Sequence, residues 1–130
     1  MACPACGGET VSIPVPAELR EYLPGETPGT ALCRACLSIH PEPDPPAETP
    51  DLSAVDDAFP TDSNAAVPLA LLVGLLDSLA LNRQEITALL ERVEREGVDP
   101  LLAVDRLADS YGDRAHVDLS ARRRQLEQLL

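Results

Sequence analysis

The chain has 130 residues, enough for one domain of ordinary size or a mini-domain joined to a helical one. Its formal charge is −12, from 22 acidic residues against ten bases, every one of them arginine; at ordinary ionic strength that balance argues against a nucleic-acid partner. Tyr22, Phe59 and Tyr111 are the aromatic residues, too few for base-stacking platforms, so the core is expected to be aliphatic.

The chain opens on a cysteine segment, residues 1–42. Two pairs, Cys3-Pro4-Ala5-Cys6 and Cys33-Arg34-Ala35-Cys36, account for every cysteine. A two-residue gap lets both sulfurs of a tight turn face one ion, and two such turns supply four thiolates at about 2.3 Å. Gly7 and Gly8 behind the first pair allow φ > 0 and let N–H groups turn toward sulfur. The second pair has Leu37 in that place and is the weaker match. Cys3, Cys6, Cys33 and Cys36 are therefore expected to bind one zinc ion per chain. Such a site is closed, so the metal builds a fold and performs no reaction. A disulfide framework fits less well, since Met1 leads almost straight into Cys3 without a signal peptide. A thioredoxin-like pair would need one Cys-x-x-Cys in a βαβ setting. Ligand identity alone does not separate zinc from an iron–sulfur cluster. Arg34 is placed to offset some of the −2 charge of a four-thiolate zinc site. His40 is a candidate substitute ligand, although a surface histidine beside a proline loop is the simpler expectation. His116 reads as a surface residue near a helix start.

Between the pairs, Val11, Ile13 and Val15 alternate on one face of a short strand, and Pro14 and Pro16 place it at an edge. Residues 17–23 can form about two helical turns with Leu19, Tyr22 and Leu23 on one side. Thr30-Ala31-Leu32 makes a second strand that delivers Cys33. The result is a short β hairpin in zinc-ribbon form, with too little core to fold without its metal.

Residues 43–63 read as a proline-rich acidic linker, extended and partly polyproline II, with Phe59 docking beside Leu52 and Val55. Residues 64–130 read as a bundle of about four helices with short connections, which makes the whole a small α+β protein. Asn64 is the expected first cap, and the run from Ala65 to Leu76 is apolar on every side. It is too short to span a membrane, so it is either a central helix or a subunit interface. Asn82 and Glu85 suggest a capping box opening a helix over 83–96, with Ile86, Leu89, Leu90 and Val93 inward. Asp99-Pro100 opens the next over 100–111, with Leu101, Val104, Leu107, Ala108 and Tyr111 as its face. Gly97 and Gly112 are stops. The last helix, opened by Asp118 or Ser120, carries Leu126, Leu129 and Leu130. The second and third helices could be a helix-turn-helix, but Asp105 and Asp109 beside the single Arg106 do not suit a phosphate-facing helix. Arg122-Arg123-Arg124 is the one basic cluster; as a solvated helix it would pair Arg123 with Glu127.

The Cys-Pro-Ala-Cys-Gly knuckle, the second Cys-x-x-Cys and the leucine-rich helical tail resemble small haloarchaeal zinc-ribbon proteins of the Cys-Pro-x-Cys-Gly type, in particular an uncharacterised family with ribbon first and helices after. The acid-rich, lysine-free composition also resembles proteins of salt-loving archaea, where molar salt shortens the Debye length to about 3 Å and net charge says little about partners. The resemblance implies zinc at the four cysteines and no assigned activity. No nucleophile–base set stands in the sequence. The expectation is a non-catalytic, cytoplasmic zinc protein whose helical region binds a protein partner or a second copy of itself. No small-molecule substrate or membrane is indicated. A nucleic-acid-associated or transcription-related factor and a thiol-redox protein are the alternatives.

Overall fold

The computed structural model describes residues 2–130. Three antiparallel strands come first: β1 (Thr10–Pro14), β2 (Gly29–Cys33) and β3 (Ile39–Glu42), in the order β1-β2-β3. The register pairs Thr10 with Cys33 and Pro14 with Gly29 across β1 and β2, then Leu32 with Ile39 and Gly29 with Glu42 across β2 and β3. The sheet is thus a three-stranded meander and not the two-stranded hairpin expected. The added strand contains Pro41, which an edge strand tolerates because its N–H side need not be paired. β2 is central and buried at every position.

The excursion between β1 and β2 is 3₁₀-helical over Ala17–Tyr22, with Leu19 and Leu23 buried. After β3, the proline-rich stretch does not stand free of the protein. Pro45 closes on Gly29, where an added Cβ would lie 2.5 Å from the proline Cβ. Asp51 caps a 3₁₀ turn, Leu52–Ala54, through the Ser53 N–H. Leu52, Ala58 and Phe59 enter the same core as the sheet and helices, with Val55 partly buried against it. Burying these side chains offsets the entropy that a polar spacer would keep.

Four helices follow: α1 (Ser63–Leu75), α2 (Arg83–Arg95), α3 (Pro100–Tyr111) and α4 (Leu119–Glu127). The cap of α1 is Asp62, which accepts from the Asn64 N–H; Asn64 itself does not cap it. α1 is buried at every position from Ala65 to Leu75. Its all-round apolarity is therefore satisfied inside this one chain. One face meets β3 at Gly74, where a Cβ would lie 2.5 Å from two Ile39 side-chain carbons. α2 buries Ile86, Leu89, Leu90 and Val93, as its periodicity requires. The capping box is not made: the Asn82 side chain donates to the Ser78 carbonyl instead, at 3.0 Å. Asp99 caps α3 through the N–H groups of Leu101 and Leu102, with Pro100 in its first turn. Asp118 caps α4 through the Ala121 N–H. A single cluster of buried side chains runs from Val11 to Leu126. Among the described residues no helix is long and apolar enough to cross a membrane.

Candidate metal centre

The two cysteine pairs sit on turns of the same construction. In the first, the Cys3 N–H donates to the Gly8 carbonyl (2.7 Å) and the Gly7 N–H to the Cys3 carbonyl (2.8 Å). In the second, Cys33 donates to Ser38 (2.9 Å) and Leu37 to Cys33 (3.0 Å). Gly7 and Leu37 are thus equivalent positions, and both are left-handed, at φ 78° and 67°. A side chain in that region costs about 1–2 kcal/mol. Leu37 is nonetheless fully buried in the main core, worth about 1.5–3 kcal/mol, so its burial offsets the strain. Leu37 departs from the glycine pattern of the first turn, yet the backbone is the same and packing in the core supports it.

The turns bring four sulfurs together. All lie within 4.8 Å of one another, with Cys6 Sγ 3.5 Å from Cys33 Sγ and Cys3 Sγ 3.9 Å from Cys36 Sγ. All four cysteines are free. A disulfide needs about 2.05 Å, whereas a tetrahedron with arms of about 2.3 Å has edges of about 3.8 Å. The donor set therefore suits a tetrahedral thiophilic ion, and the four cysteines can hold a metal. Backbone N–H groups point at the sulfurs: Ala5 at Cys3 (3.4 Å), Gly8 at Cys6 (3.4 Å), and both Ala35 and Cys36 at Cys33 (3.3 and 3.4 Å). Cys3, Cys33 and Cys36 are buried and Cys6 is exposed. Gly8 has no room for a side chain, since a Cβ would lie 2.6 Å from Ala35 Cβ and 3.2 Å from Cys33 Sγ.

Burial acts first on the Cys3 thiol and raises it, but hydrogen bonds from Ser38, the Cys6 and Ala5 backbone and His40 outweigh it and hold the group down at about 5. At Cys33 and Cys36 burial dominates and pushes the thiols up. At Cys6 the Gly8 N–H and Cys33 lower the thiol, yet burial together with the Cys36 and Cys3 thiols leaves it raised.

Four further residues surround the centre, of which only His40 is suggested by the sequence, as a substitute ligand. Ser38 Oγ lies 3.0 Å from Cys36 Sγ and 3.4 Å from Cys3 Sγ. His40 stands on β3 and not in a proline loop; its Nε2 is 2.9 Å from Ser38 Oγ and 3.4 Å from Cys3 Sγ. Alternation along β3 was the available signal: Ile39 turns to α1 while Ser38 and His40 turn to the sulfurs. His116 is half-buried and holds the second turn, its N–H donating to the Cys36 carbonyl (2.8 Å) with Nδ1 3.0 Å from the same oxygen. A carbonyl only accepts, so Nδ1 carries the hydrogen. Tyr111 Oη donates to the Arg34 carbonyl at 3.0 Å. The end of α3 and the loop after it thereby grip the backbone of the second cysteine turn. No sequence spacing announces contacts 77 and 80 residues apart.

The arginines take different parts in the fold. Arg34 is exposed, and among the described residues no hydrogen bond links its guanidinium to a sulfur. Arg122 Nε donates to the Leu76 carbonyl (2.8 Å), which ties α4 to the end of α1. Arg123 pairs with Asp105 at 3.0 Å and with Glu127, the i,i+4 pair expected. Two of the three clustered arginines are thus engaged within the fold, and Arg124 is exposed.

Comparison with curated proteins and with solved structures gives no match. A family model does match, over residues 2–130, and the chain accordingly belongs to DUF6276, a family of unknown function.

Proposed function

We propose that Cys3, Cys6, Cys33 and Cys36 hold one zinc ion as a closed structural site in a non-catalytic zinc-ribbon protein. The observation that carries this is the convergence of four unbonded sulfurs from two like-built turns, at spacings that match a tetrahedron and not a disulfide. Four thiolates leave no coordination position for a substrate or water. Zinc suits the set because it has no redox chemistry and takes tetrahedral thiolate sites readily. Four free thiols fit a reducing, cytoplasmic setting, and the acidic, lysine-free composition fits one rich in salt.

The test is elemental analysis of the purified chain and of Cys33→Ser. One zinc per wild-type chain, lost in the variant, supports the reading. Iron with visible absorption, or no metal at all, overturns it. The reading extends to a protein partner or a second copy held by the helical part. Its support is surface apolar area at Leu81, Leu102 and Leu130, since α1 is consumed by the core. Light scattering and pull-down on the full chain check this part; a monomer with no captured partner ends it.

A further inference from the structure

The two halves of the metal centre start from the same backbone and are then made unequal. Gly8 and Ser38 are the equivalent positions, each accepting from the first cysteine of its own turn. At Gly8 a side chain is excluded by Ala35 and the sulfurs. At Ser38 a side chain fits, and it is buried against Cys36 and Cys3. Only the second turn can therefore add a hydroxyl to the shell around the sulfurs.

The direction of the hydrogen bonds follows from chemistry. A metal-bound thiolate can only accept. Ser38 has one hydroxyl hydrogen, and Cys36 Sγ at 3.0 Å is its nearest acceptor of that kind. Ser38 Oγ then accepts from His40 Nε2 at 2.9 Å, so Nε2 bears a hydrogen. The same N–H lies 3.4 Å from Cys3 Sγ. A nitrogen that carries a hydrogen is not a metal ligand, so His40 is not a substitute for a cysteine through this atom. It is an outer donor. Its position is fixed by β3, whose His40 carbonyl accepts from Thr30 Oγ1 at 3.1 Å. Cys6 has no such support: its donor is the Gly8 N–H, and it faces solvent.

We propose that Ser38 and His40 form a hydrogen-bond relay that holds Cys3 and Cys36 on the ion, and that metal is lost first at the exposed Cys6. The relay also aims O–H and N–H dipoles at the negatively charged thiolates. The proposal rests on the metal-binding reading above and assigns both side chains as positioning residues.

The experiment uses the full chain loaded with zinc or cobalt(II), comparing wild type, Ser38→Ala, His40→Ala and Ser38→Thr. Removing an outer-shell partner weakens metal binding by about 10- to 100-fold, so chelator competition should show that loss in Ser38→Ala and His40→Ala. Ser38→Thr keeps the hydroxyl and should recover most of it. The thiolate-to-cobalt absorption band should shift in Ser38→Ala, a change that a merely destabilised fold does not produce. Under limiting chelator, peptide mapping of alkylated thiols should find Cys6 modified before Cys3 and Cys36 in wild type, with that order weakened in Ser38→Ala. Metal-binding variants with unchanged affinity, band and order overturn the relay while leaving the zinc reading intact. A wild-type chain that binds no metal overturns both.

Discussion

Replacing Gly8 by alanine tests the apposition of the two turns directly. The new Cβ would stand 2.6 Å from Ala35 Cβ, 3.2 Å from Cys33 Sγ and 3.3 Å from Cys6 Sγ. Carbon atoms pack best at about 3.5–4.0 Å, so the second turn must retreat by about 1 Å. The backbone of Gly8 is not left-handed, and alanine has no rotamer, so contact is the whole effect. Ala35 Cβ is fixed to the turn and cannot swing away. Overpacking of this kind costs about 1–3 kcal/mol. The atoms displaced are the metal-binding turn and its sulfurs, so the cost falls on ligand geometry. At 1.4 kcal/mol per tenfold, zinc affinity should drop by about 5- to 150-fold. Competition with a chromogenic chelator measures it. Ala35→Gly in the same chain removes the closest contact and should restore most of the affinity. Gly7→Ala is the control, for it meets nothing within 4 Å. It carries only the left-handed penalty of about 1–2 kcal/mol, seen in stability more than in metal binding. If Gly8→Ala binds zinc as wild type does, or Ala35→Gly fails to rescue it, the turns are not apposed as described.

Three further outcomes follow from the same geometry. Gly74→Ala gains about 1 kcal/mol of helix propensity but drives a methyl into Ile39, a β-branched side chain with little freedom to turn; overpacking of about 1–3 kcal/mol wins, and Ile39→Ala should compensate in denaturant melts. A stabilised Gly74→Ala chain would count against the contact of α1 with β3. Leu37→Gly relieves about 1–2 kcal/mol of left-handed strain but empties a fully buried leucine site, where the loss is about 3–5 kcal/mol; net destabilisation on thermal melting is expected, and a gain would mean that strain dominates. Zinc binding at pH 7 should release about three protons and not four, because Cys6, Cys33 and Cys36 are pushed up while Cys3 is held at about 5. Affinity should then fall as pH falls, since protons compete for the raised thiols. Calorimetry in buffers of different ionisation enthalpy counts the protons, and a count of four would show Cys3 protonated in the free site.

Local chemistry was legible in the sequence wherever the interaction was local. The two cysteine turns follow from spacing within each pair, because four or five residues close a turn by themselves, and the structure brings their four sulfurs together. The helices follow from apolar periodicity and from stops at Gly97 and Gly112. The cap is legible at Asp99, where no rival stands; of the two openers offered for the last helix, Asp118 and Ser120, the structure uses Asp118. The cap is not legible at Asn64, where Asp62 lies two residues nearer the start, nor at Asn82, where the Ser78 carbonyl competes for the side chain. The third strand was hidden because Pro41 and Pro43 look like a linker, and an edge partner reveals itself only when β2 is in place.

The amino-acid sequence by itself determined which residues could be ligands, that the core would be aliphatic, and that an all-apolar helix had to be buried. Tertiary structure decided what that helix is buried by: β3 and α2 of the same chain, in one core that also takes in Leu52 and Phe59. It also decided how the second turn, the weaker match in sequence, takes the same backbone as the first. Leu37 takes the left-handed place of a glycine because the core receives its side chain, and Ser38, His40, Tyr111 and His116 close around the turn from β3 and from residues some 80 positions away. Those contacts depend on packing distance and not on spacing along the chain, and a one-dimensional pattern carries no record of them.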